Sequence, residues 1–476
     1  MQTVILILIL EDMCWINQLQ SFYQEELTMS NEKKLREAPV GRLIASMSLP
    51  MILIMIVQVI YNLADTFFLG RYGSALQVAA VSLAAPVFSL FSAVNTLAGF
   101  GGCTAASMAL GRGDKKQVRQ ISAFVLYFSL AAGVLICGSS LIFIDPLVRV
   151  LGADQETIGF AREYLRWAAV NAPFAIAGGA LGNTLRADGD GKSLVAAALS
   201  GTVLNIVLDP LFIAVFGWGV TGAGIATLAG NVLSCVVLIP VIRKKEAFSV
   251  SFKDFTLKKE VSVSVLGLGI PMAASTFLMS FSSLFSNRLF VSYGNTALAA
   301  NGVAGKAGML IGMLLLGISM GIQPAISYNH SAGRHTRVKK IVLSTAAVNI
   351  AVALVLSLLI FFGRHAFISA FLKEETAVLL GEKMILGTLI ASPFAGIYQL
   401  CSAYLQAAGK VGRATLTAFF QKFLVYVPVL FIMNLFFSLN GLIYAAAVTD
   451  VLSAAAALFL CMKNPHLSIK KRPSFV

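Results

Sequence analysis

Apolar runs of about 20 residues, separated by short polar breaks, follow one another from Gly41 almost to the end of this chain. A run of that length is what one helical crossing of a bilayer requires, and in lipid only helices or closed barrels satisfy every backbone hydrogen bond. The runs lie at approximately 43–70, 76–108, 121–143, 164–184, 194–216, 220–242, 262–290, 297–327, 341–362, 381–404, 415–437 and 440–462. The sequence therefore predicts an all-α polytopic membrane protein with twelve transmembrane helices.

Composition agrees with a membrane protein. The 476 residues are 58% hydrophobic and 12% charged and their mean hydropathy is +0.83, whereas soluble domains average about 25% charged residues. The net charge of +14 arises from Lys and Arg in the short connections, which is typical of cytoplasmic loops facing anionic lipid and argues against a nucleic-acid partner. The six cysteines and four histidines lack metal-ligand spacing, so we expect no metal and no cofactor.

The connections between the runs alternate in charge. Those on the side of both termini hold 27 Lys and Arg residues, and the alternate set holds 7. Loops rich in Lys and Arg remain on the cytoplasmic side of a membrane. This split predicts that both termini are cytoplasmic and that the protein lies in the cytoplasmic (inner) membrane.

The second half of the chain repeats the first at an offset of about 220 residues. Pro50-Met51 matches Pro271-Met272, and Pro173-Phe174-Ala175 matches Pro393-Phe394-Ala395. Six helices are therefore duplicated as six, and the two lobes should be related by an axis along the membrane normal. We predict an N-terminal tail at 1–40, a six-helix lobe at 41–242, a cytoplasmic linker at 243–260, a second lobe at 261–462 and a cytoplasmic tail at 463–476. Because Met29 opens a polar basic segment, residues 1–28 are interpreted as an upstream start artefact.

One carboxylate stands where a charge is costly. Asp209 lies inside the run 194–216, and a carboxylate at the centre of a membrane helix costs about 2.5–3.5 kcal/mol on insertion scales. Asn205 precedes it by four residues, so both project from one helical face. Counted from the outer helix ends, Asp65, Asp209 and Thr227 lie at one depth. With Asn205 they form a predicted site for a proton or a small cation such as sodium. The alternative is an inert hydrogen-bonded knot between helices.

At this point the sequence resembles the multidrug and toxic compound extrusion (MATE) transporters, over roughly 41–462. The resemblance rests on Pro50 with Asp65 and on the segments GSALQVAAVSLAAP (73–86), GRG (111–113), LRADG (185–189), NIVLDP (205–210) and GAGIAT (222–227). It implies a V-shaped two-lobe antiporter, driven by a proton or sodium, that exports amphipathic and often cationic compounds. It also carries the coupling role onto Asp65, Asn205, Asp209 and Thr227. NorM-type members place further acids in helices 7 and 10, but helix 7 has none here, which favours coupling through the first lobe.

Helix faces predict the substrate cavity. We expect these residues to line it: Met51, Met55, Gln58, Tyr61, Asn62, Met279, Phe281, Tyr398 and Gln399. Flexible Met and aromatic side chains suit small amphipathic substrates of varied shape. Beyond such substrates and membrane lipids we expect no partner, and we expect the protein to act as a monomer.

Further expectations concern the second lobe and the class of function. Lys306 and Asp450 enter from the outer face at similar depth, so we expect them to pair. A lipid-linked oligosaccharide flippase is the alternative transporter, although its cavity should carry more basic residues than Arg288 and Lys306 provide. No nucleophile and base stand out for an intramembrane enzyme, and the difference between the lobes disfavours a passive channel.

Overall fold

The computed structural model describes residues 31–72, 74–372 and 374–463, with all their side chains except those of 62–67, 70, 75, 280, 284 and 295. Every regular element within these ranges is helical. The expected start artefact at 1–28 and the tail beyond residue 463 lie outside the described residues.

The N-terminal half forms six long helices close to the predicted runs. They are α1 (Val40–Tyr72), α2 (Ala85–Gly111), α3 (Lys115–Ile142), α4 (Ile158–Leu185), α5 (Gly191–Pro210) and α6 (Gly219–Arg243). Three short helices accompany them: Asn31–Glu37 before α1, Ala75–Leu83 before α2 and Ile144–Val150 after α3.

The C-terminal half repeats this arrangement. Its first four helices are α7 (Lys259–Val291), α8 (Asn295–Ser331), α9 (His335–Ser369) and α10 (Glu375–Ala407). The remainder is one helical stretch made of Val411–Phe419, a π-helical segment Phe420–Val425 and Tyr426–Met462. Ser438 breaks this stretch with a left-handed backbone (φ 51°), which divides it into α11 (411–437) and α12 (439–462). The prediction of twelve helices is thereby confirmed.

Ten stretches among the described residues are long and apolar enough to cross a membrane. They include all or part of every long helix from α1 to α12 except α4, and they count α11 and α12 as one stretch. Helix α4 packs against α2, α3 and α6, so it needs less apolar surface of its own.

Short capped loops join the helices at the end of the molecule that carries most Lys and Arg. The carboxylate of Asp114 accepts a hydrogen bond from the Gln117 amide (2.9 Å) and caps α3, and Asp190 caps α5 through the Ser193 amide (3.1 Å). Gly189 takes a positive φ (87°) in the second of these loops, a conformation that only glycine adopts readily. We call this end the basic side; it comprises the loops 112–114, 186–190, 244–258, 332–334 and 408–410.

The two halves meet through α1, α2, α7 and α8. Gly101 of α2 lies against Gly269 of α7, and Gly321 of α8 lies against Ser48 of α1. These pairs are copies of each other in the duplicated sequence, at the offset of about 220 residues. Both crossings fall in the halves of the helices nearest the basic side, so the lobes are closed together there. We call this contact the closed interface.

Two segments outside the long helices cover the basic side. Leu35 of the helix Asn31–Glu37 is fully buried, and its carbonyl accepts a hydrogen bond from the Asn329 amide of the second lobe (3.0 Å). The linker runs along α3, where the Tyr127 hydroxyl donates to the Val250 carbonyl (2.8 Å) and Arg119 pairs with Asp254 (3.1 Å). Residues 31–37 of the predicted N-terminal tail, and the linker, therefore pack against the helices of the fold.

Candidate functional site

The buried carboxylate of α5 has the partner that its spacing predicts. Asp209 and Asn205 are 0% and 2% exposed, and the Asn205 amide nitrogen donates to Asp209 Oδ1 at 3.4 Å. Pro210 follows at once, and the helix continues as a π-helical turn, Leu211–Val215. Such turns occur frequently at functional sites because they widen the helix and leave main-chain groups free.

A glycine contact brings α6 against this pair. A Cβ atom at Gly230 would lie 2.6 Å from the carbonyl oxygen of Gly201 and 3.3 Å from Asn205 Cβ. The two backbones can approach this closely because both positions lack a side chain. The polar face of α5 consequently lies next to the middle of α6.

Helix α6 contributes a second polar group that reaches α1 and α4. The hydroxyls of Tyr61 and Thr227 are 3.2 Å apart, and the Asn231 amide donates to the Thr227 carbonyl (3.2 Å) and to Asn171 Oδ1 (3.0 Å). Thr227 and Asn171 are buried. We use the name N-lobe site for Tyr61, Asn171, Asn205, Asp209, Thr227 and Asn231.

The N-lobe site contains two residues that the sequence analysis missed. Asn171 and Asn231 are amides inside apolar runs, and Asn231 follows Thr227 by four residues, so helical spacing from Thr227 would have found it. Asp65 lies on α1 four residues after Tyr61, on the same helical face. The side chains of Asp65 and Asn62 are not described, so their part in the site stays a prediction.

The expected cavity residues fall into three groups. Gln58, Met279 and Phe281 are exposed on α1 and α7, and Met55, Tyr61 and Gln399 are partly buried. The remaining two are enclosed: Met51 lies in the closed interface, and the Tyr398 hydroxyl donates to the Thr417 carbonyl (3.2 Å) between α10 and α11. Met51 and Tyr398 therefore do not face an open cavity in this conformation, because neighbouring helices cover them.

The lobes separate away from the basic side. Among the described residues, each hydrogen bond between the lobes lies at the basic side or in the closed interface. In the opposite half of α1 and α7, Ile60, Phe277 and Met279 are 50%, 66% and 56% exposed. The hydrogen bonds that join described residues of the two lobes are therefore concentrated on the basic side, while these three side chains of the opposite half are not covered by other helices.

Comparison with known proteins decides the family. The MatE family model matches residues 50–211 and again 271–432, one match in each lobe. The chain belongs to the MatE family. The resemblance to MATE transporters seen in the sequence is thereby confirmed.

Relatives of this MATE chain cover almost its whole length. The multidrug export protein MepA of Staphylococcus saprophyticus is 30% identical over 416 residues, which are 87% of this chain and 91% of that protein. MepA of Staphylococcus aureus is 30% identical over 427 residues, 89% and 94% of the two chains. MATE proteins are secondary transporters, so this chain is a membrane transporter and not an enzyme.

Solved structures share the fold. A MATE protein crystallised in complex with MaL6 has a TM-score of 0.86 and 24% identity, covering 93% of this chain and all of that one. The outward-facing conformation of a multidrug resistance MATE family transporter of the MOP superfamily has a TM-score of 0.84 and 24% identity, covering 92% and 99%. The two-lobe architecture predicted for this MATE chain is thus found in known structures.

A buried arginine crosses the closed interface of the MATE fold. Arg186, in the turn after α4, is 3% exposed, and its Nη1 donates to the Met320 carbonyl of the opposite lobe (3.3 Å) and contacts Met51 Sδ (3.1 Å). The guanidinium also stacks 5.0 Å from the Phe100 ring centre. Burial lowers the pKa of the Arg186 guanidinium. In the sequence, Arg186 is one of the 27 Lys and Arg residues in the connections on the side of the termini, and nothing there predicted its burial.

The duplicate of Arg186 is Gln406, and it lies in the same interface. Gln323 Nε2 donates to Gln406 Oε1 within the second lobe (2.7 Å) and to Thr104 Oγ1 of the first lobe (3.0 Å). Gln323 and Gln406 are buried. One polar bridge from each copy therefore ties the two lobes together on the basic side.

The expected pairing of Lys306 with Asp450 is wrong. Asp450 Oδ1 instead accepts a hydrogen bond from Gln421 Nε2 of α11 (2.9 Å). Lys306 instead lies 5.7 Å from the centre of the Phe371 ring. Equal depth did not imply contact, because α11 supplies a nearer partner for Asp450 than α8 does. The 27 Lys and Arg residues assigned from the sequence to the connections on the side of the termini include Lys422, but this residue lies inside α11.

Proposed function

We propose that this MATE transporter is a cation-coupled antiporter, driven by protons or sodium, that exports amphipathic and often cationic compounds across the cytoplasmic membrane. The observation that carries the proposal is the buried Asp209–Asn205 pair inside an apolar helix. The exported compound would bind in a cleft between the lobes, in the half away from the basic side. A carboxylate within a membrane helix is rare and usually serves transport. The multidrug export role of MepA, a relative over most of the chain, supports the class of substrate.

The basic side is the cytoplasmic side in this proposal. The excess of Lys and Arg in its loops supports that orientation, with both termini cytoplasmic. The conformation described here is then closed to the cytoplasm and open to the outside. The chain would act as a monomer on small-molecule substrates within the lipid, with no cofactor other than the coupling ion.

The exchange of a cation for the exported compound depends on two states of the transporter, one open to the outside and one open to the cytoplasm. In the outward-open state a cation binds at Asp209, with Asn205 as its neighbour and Asp65 as the expected second carboxylate. Binding neutralises the site and changes how α1 packs against α5 and α6, which releases the compound from the cleft. In the inward-open state the cation leaves and a new compound binds. The exchange is obligatory only if the cation and the compound favour different states.

The test is ethidium movement into or out of proteoliposomes under an imposed proton gradient and, separately, under a sodium gradient. Movement driven by one gradient, and abolished in Asp209→Asn, would identify the coupling ion. The control is Glu156→Gln, which also converts a carboxylate to an amide but lies on an exposed loop, and it should transport normally.

Absence of movement from folded protein under both gradients would refute the antiporter. The alternative function, a flippase for lipid-linked oligosaccharide, would then be tested with a fluorescent lipid of that class. Movement that persists in Asp209→Asn would show that coupling does not depend on this carboxylate.

A further inference from the structure

The linker between the lobes extends along α3 to the depth of the membrane. The Ser122 hydroxyl accepts a hydrogen bond from the Ser249 amide (2.9 Å), and further along α3 the Tyr127 hydroxyl donates to the Val250 carbonyl (2.8 Å). Tyr127 lies six residues inside the apolar run that begins at residue 121, or about 9 Å beyond its start. Part of the linker therefore lies beside the apolar part of α3.

The polar groups of the linker have partners at this depth. The Ser122 hydroxyl bonds to both main-chain groups of Ser249, since it also donates to the Ser249 carbonyl (3.0 Å). Arg119 pairs with the carboxylate of Asp254 at 3.1 Å. Irregular backbone is tolerated at membrane depth only where its polar groups are satisfied by protein or water. These contacts allow the linker to lie at the boundary between water and lipid.

Three aromatic contacts hold the tip of the linker on α3. The ring of Phe252 lies edge-on to that of Tyr127 (5.2 Å between ring centres) and stacks on Phe255 (5.6 Å). Phe255 in turn stacks on the buried ring of Phe124 (6.4 Å). In spite of these contacts Phe252 is 69% exposed. A large apolar side chain is thus held in a fixed position with most of its surface uncovered.

The exposed Phe252 ring continues the lipid-facing side of α3. Helix α3 is long and apolar enough to cross a membrane. Ala131, Val134 and Leu135 form an exposed stripe on it, four, seven and eight residues after Tyr127, so Tyr127 lies on the same face. Because Phe252 packs on Tyr127, it extends this stripe towards the basic side. The surface next to Phe252 is therefore one that lipid covers.

Lysines accompany the exposed apolar side chains of the linker. Lys253 follows Phe252, and Lys258 follows Leu257, which is 70% exposed. Both lysines are exposed, and neither forms an ion pair within the part of the chain that the structure describes. Glu260 lines the same surface pocket as Lys258 and offsets part of its charge. The positive charge beside Phe252 is left without a carboxylate partner.

We propose that residues 249–258, which we call the lipid-binding segment, bind anionic phospholipid in the leaflet at the basic side. Phe252 and Leu257 enter the boundary between head groups and acyl chains, and the ammonium groups of Lys253 and Lys258 bind the phosphates. Interfacial segments bury their apolar face about 5–10 Å into this boundary, which agrees with the depth of Tyr127. Long lysine side chains reach from such a depth to the head groups.

The consequence is a lipid contact at the connection between the lobes. The linker joins α6 to α7, so lipid bound to it holds this connection at one depth in the membrane. The inference goes beyond the proposed function and does not depend on which ion drives transport.

The experiment places p-benzoylphenylalanine, a photoreactive analogue of phenylalanine, at position 252 of the full chain in nanodiscs of equal parts phosphatidylglycerol and phosphatidylcholine. After irradiation, mass spectrometry of the intact protein should show adducts of one lipid. The phosphatidylglycerol adduct should be about fivefold more abundant, because one lysine near a membrane surface favours anionic lipid by about that factor. The analogue at position 246 is the control and should give few adducts, because Glu246 is exposed beside Lys115, the first residue of α3.

The lysines are tested by substitution in the protein that carries the analogue at position 252. Lys253→Gln with Lys258→Gln should make the two adducts nearly equal in abundance. Lys340→Gln with Lys410→Gln removes two exposed lysines of the second lobe, and it should leave the preference unchanged. In detergent without phospholipid no head group is present, so Lys253→Gln with Lys258→Gln should not alter the unfolding temperature.

Three results would overturn the proposal: no lipid adduct at position 252, adducts as frequent at position 246 as at position 252, or a preference for phosphatidylglycerol that survives the loss of both lysines. If the protein with the analogue at position 252 does not fold, the analogue in place of Leu257 decides between the same outcomes. Because cross-linking needs no ion gradient, a failure of antiport in proteoliposomes is distinguishable from a failure here.

Discussion

Arg186 Nη1 of the first lobe donates a hydrogen bond to the main-chain carbonyl of Met320 in the second lobe, at 3.3 Å. The donor is buried, and the acceptor lies in α8, the helix that also carries Gln323 and its bridge to Thr104. Contacts of this kind exist only while the basic side is closed. In the proposed exchange cycle, these contacts must break whenever the transporter opens at the basic side.

Replacing Arg186 should therefore shift the balance between the two states. We expect Arg186→Met to weaken the closed interface by about 1 kcal/mol, the typical net value of one hydrogen bond, and so to raise the fraction open at the basic side about fivefold. Spin labels at Lys116→Cys and Lys340→Cys, exposed positions in opposite lobes, would report a longer distance. The control is Arg112→Met in a neighbouring exposed loop, and equal distances in both variants would contradict the role of Arg186.

The glycine crossing offers a steric test of the same interface. A methyl group at Gly269 would overlap the carbonyl of Leu97, whereas one at Gly267 of the same helix meets nothing within 4 Å. We expect Gly269→Ala to keep the lobes apart and abolish transport while the protein remains folded. Gly267→Ala should transport normally and gain about 0.5–1 kcal/mol of helix stability. The prediction is tested by measuring ethidium transport and the unfolding temperature of both variants. Normal transport by Gly269→Ala would show that the two helices do not need to pack this closely.

The hydroxyl contact between Tyr61 and Thr227 joins α1 to α6 within the N-lobe site. Tyr61→Phe and Thr227→Val should each lower stability by about 1 kcal/mol, and the double variant should cost little more than either single one. A double-mutant cycle of unfolding free energies in detergent measures this coupling. Strictly additive losses would mean that the two hydroxyls do not act on each other.

The loop after α4 is anchored to the linker by one lysine. The Lys245 ammonium lies 2.5 Å from Asp188 and 3.0 Å from Asp190, and these side chains are about 15% exposed. Burial raises the pKa of Asp188 in spite of Lys245. For Asp190, burial is outweighed by Lys245 and the Ser193 hydroxyl, which together hold its pKa below the usual value.

These pKa directions predict that lowering the pH from 7.5 to 5 affects the stability of the natural protein and of a Lys245 variant differently. Asp190 contributes stability at neutral pH that is lost only as the pH falls through its lowered pKa. Asp188, whose pKa is raised, takes up a proton at a higher pH, and this leaves the bond between Lys245 and Asp190 in place. The natural anchor should thus persist at pH 5. Lys245→Met leaves two buried carboxylates with raised pKa values, so it should cost about 2 kcal/mol at pH 7.5 and recover part of that at pH 5.

Unfolding temperatures at pH 7.5 and pH 5 test this prediction. Lys253→Met, which removes an exposed lysine of the same linker, is the control and should match the natural protein at both values. If the stability lost in Lys245→Met, relative to the control, is as large at pH 5 as at pH 7.5, the prediction of two buried carboxylates with raised pKa values is wrong.

Periodicity in the sequence was enough to predict the fold. Twelve apolar runs gave twelve helices because each must satisfy its own backbone in lipid and match one bilayer thickness, conditions that depend on local sequence alone. The duplication was visible for the same reason, since Pro50 and Pro271 mark equivalent positions of α1 and α7. Asn205 and Asp209 were paired correctly because their contact lies within one helical turn.

Contacts between helices were decided by the tertiary structure alone. Depth in the membrane put Lys306 and Asp450 level with each other, yet depth says nothing about the rotation of a helix or about which helix lies beside it. The partner of Asp450 in the structure is Gln421 of α11. From the sequence, Arg186 was interpreted as a charge in an exposed loop. In the structure it is buried, because the two lobes pack together around it. The sequence by itself determined the number, length and repetition of the helices, which arise from local hydrophobicity. The polar partners that join the lobes depend on how whole helices pack, which is a property of the assembled chain.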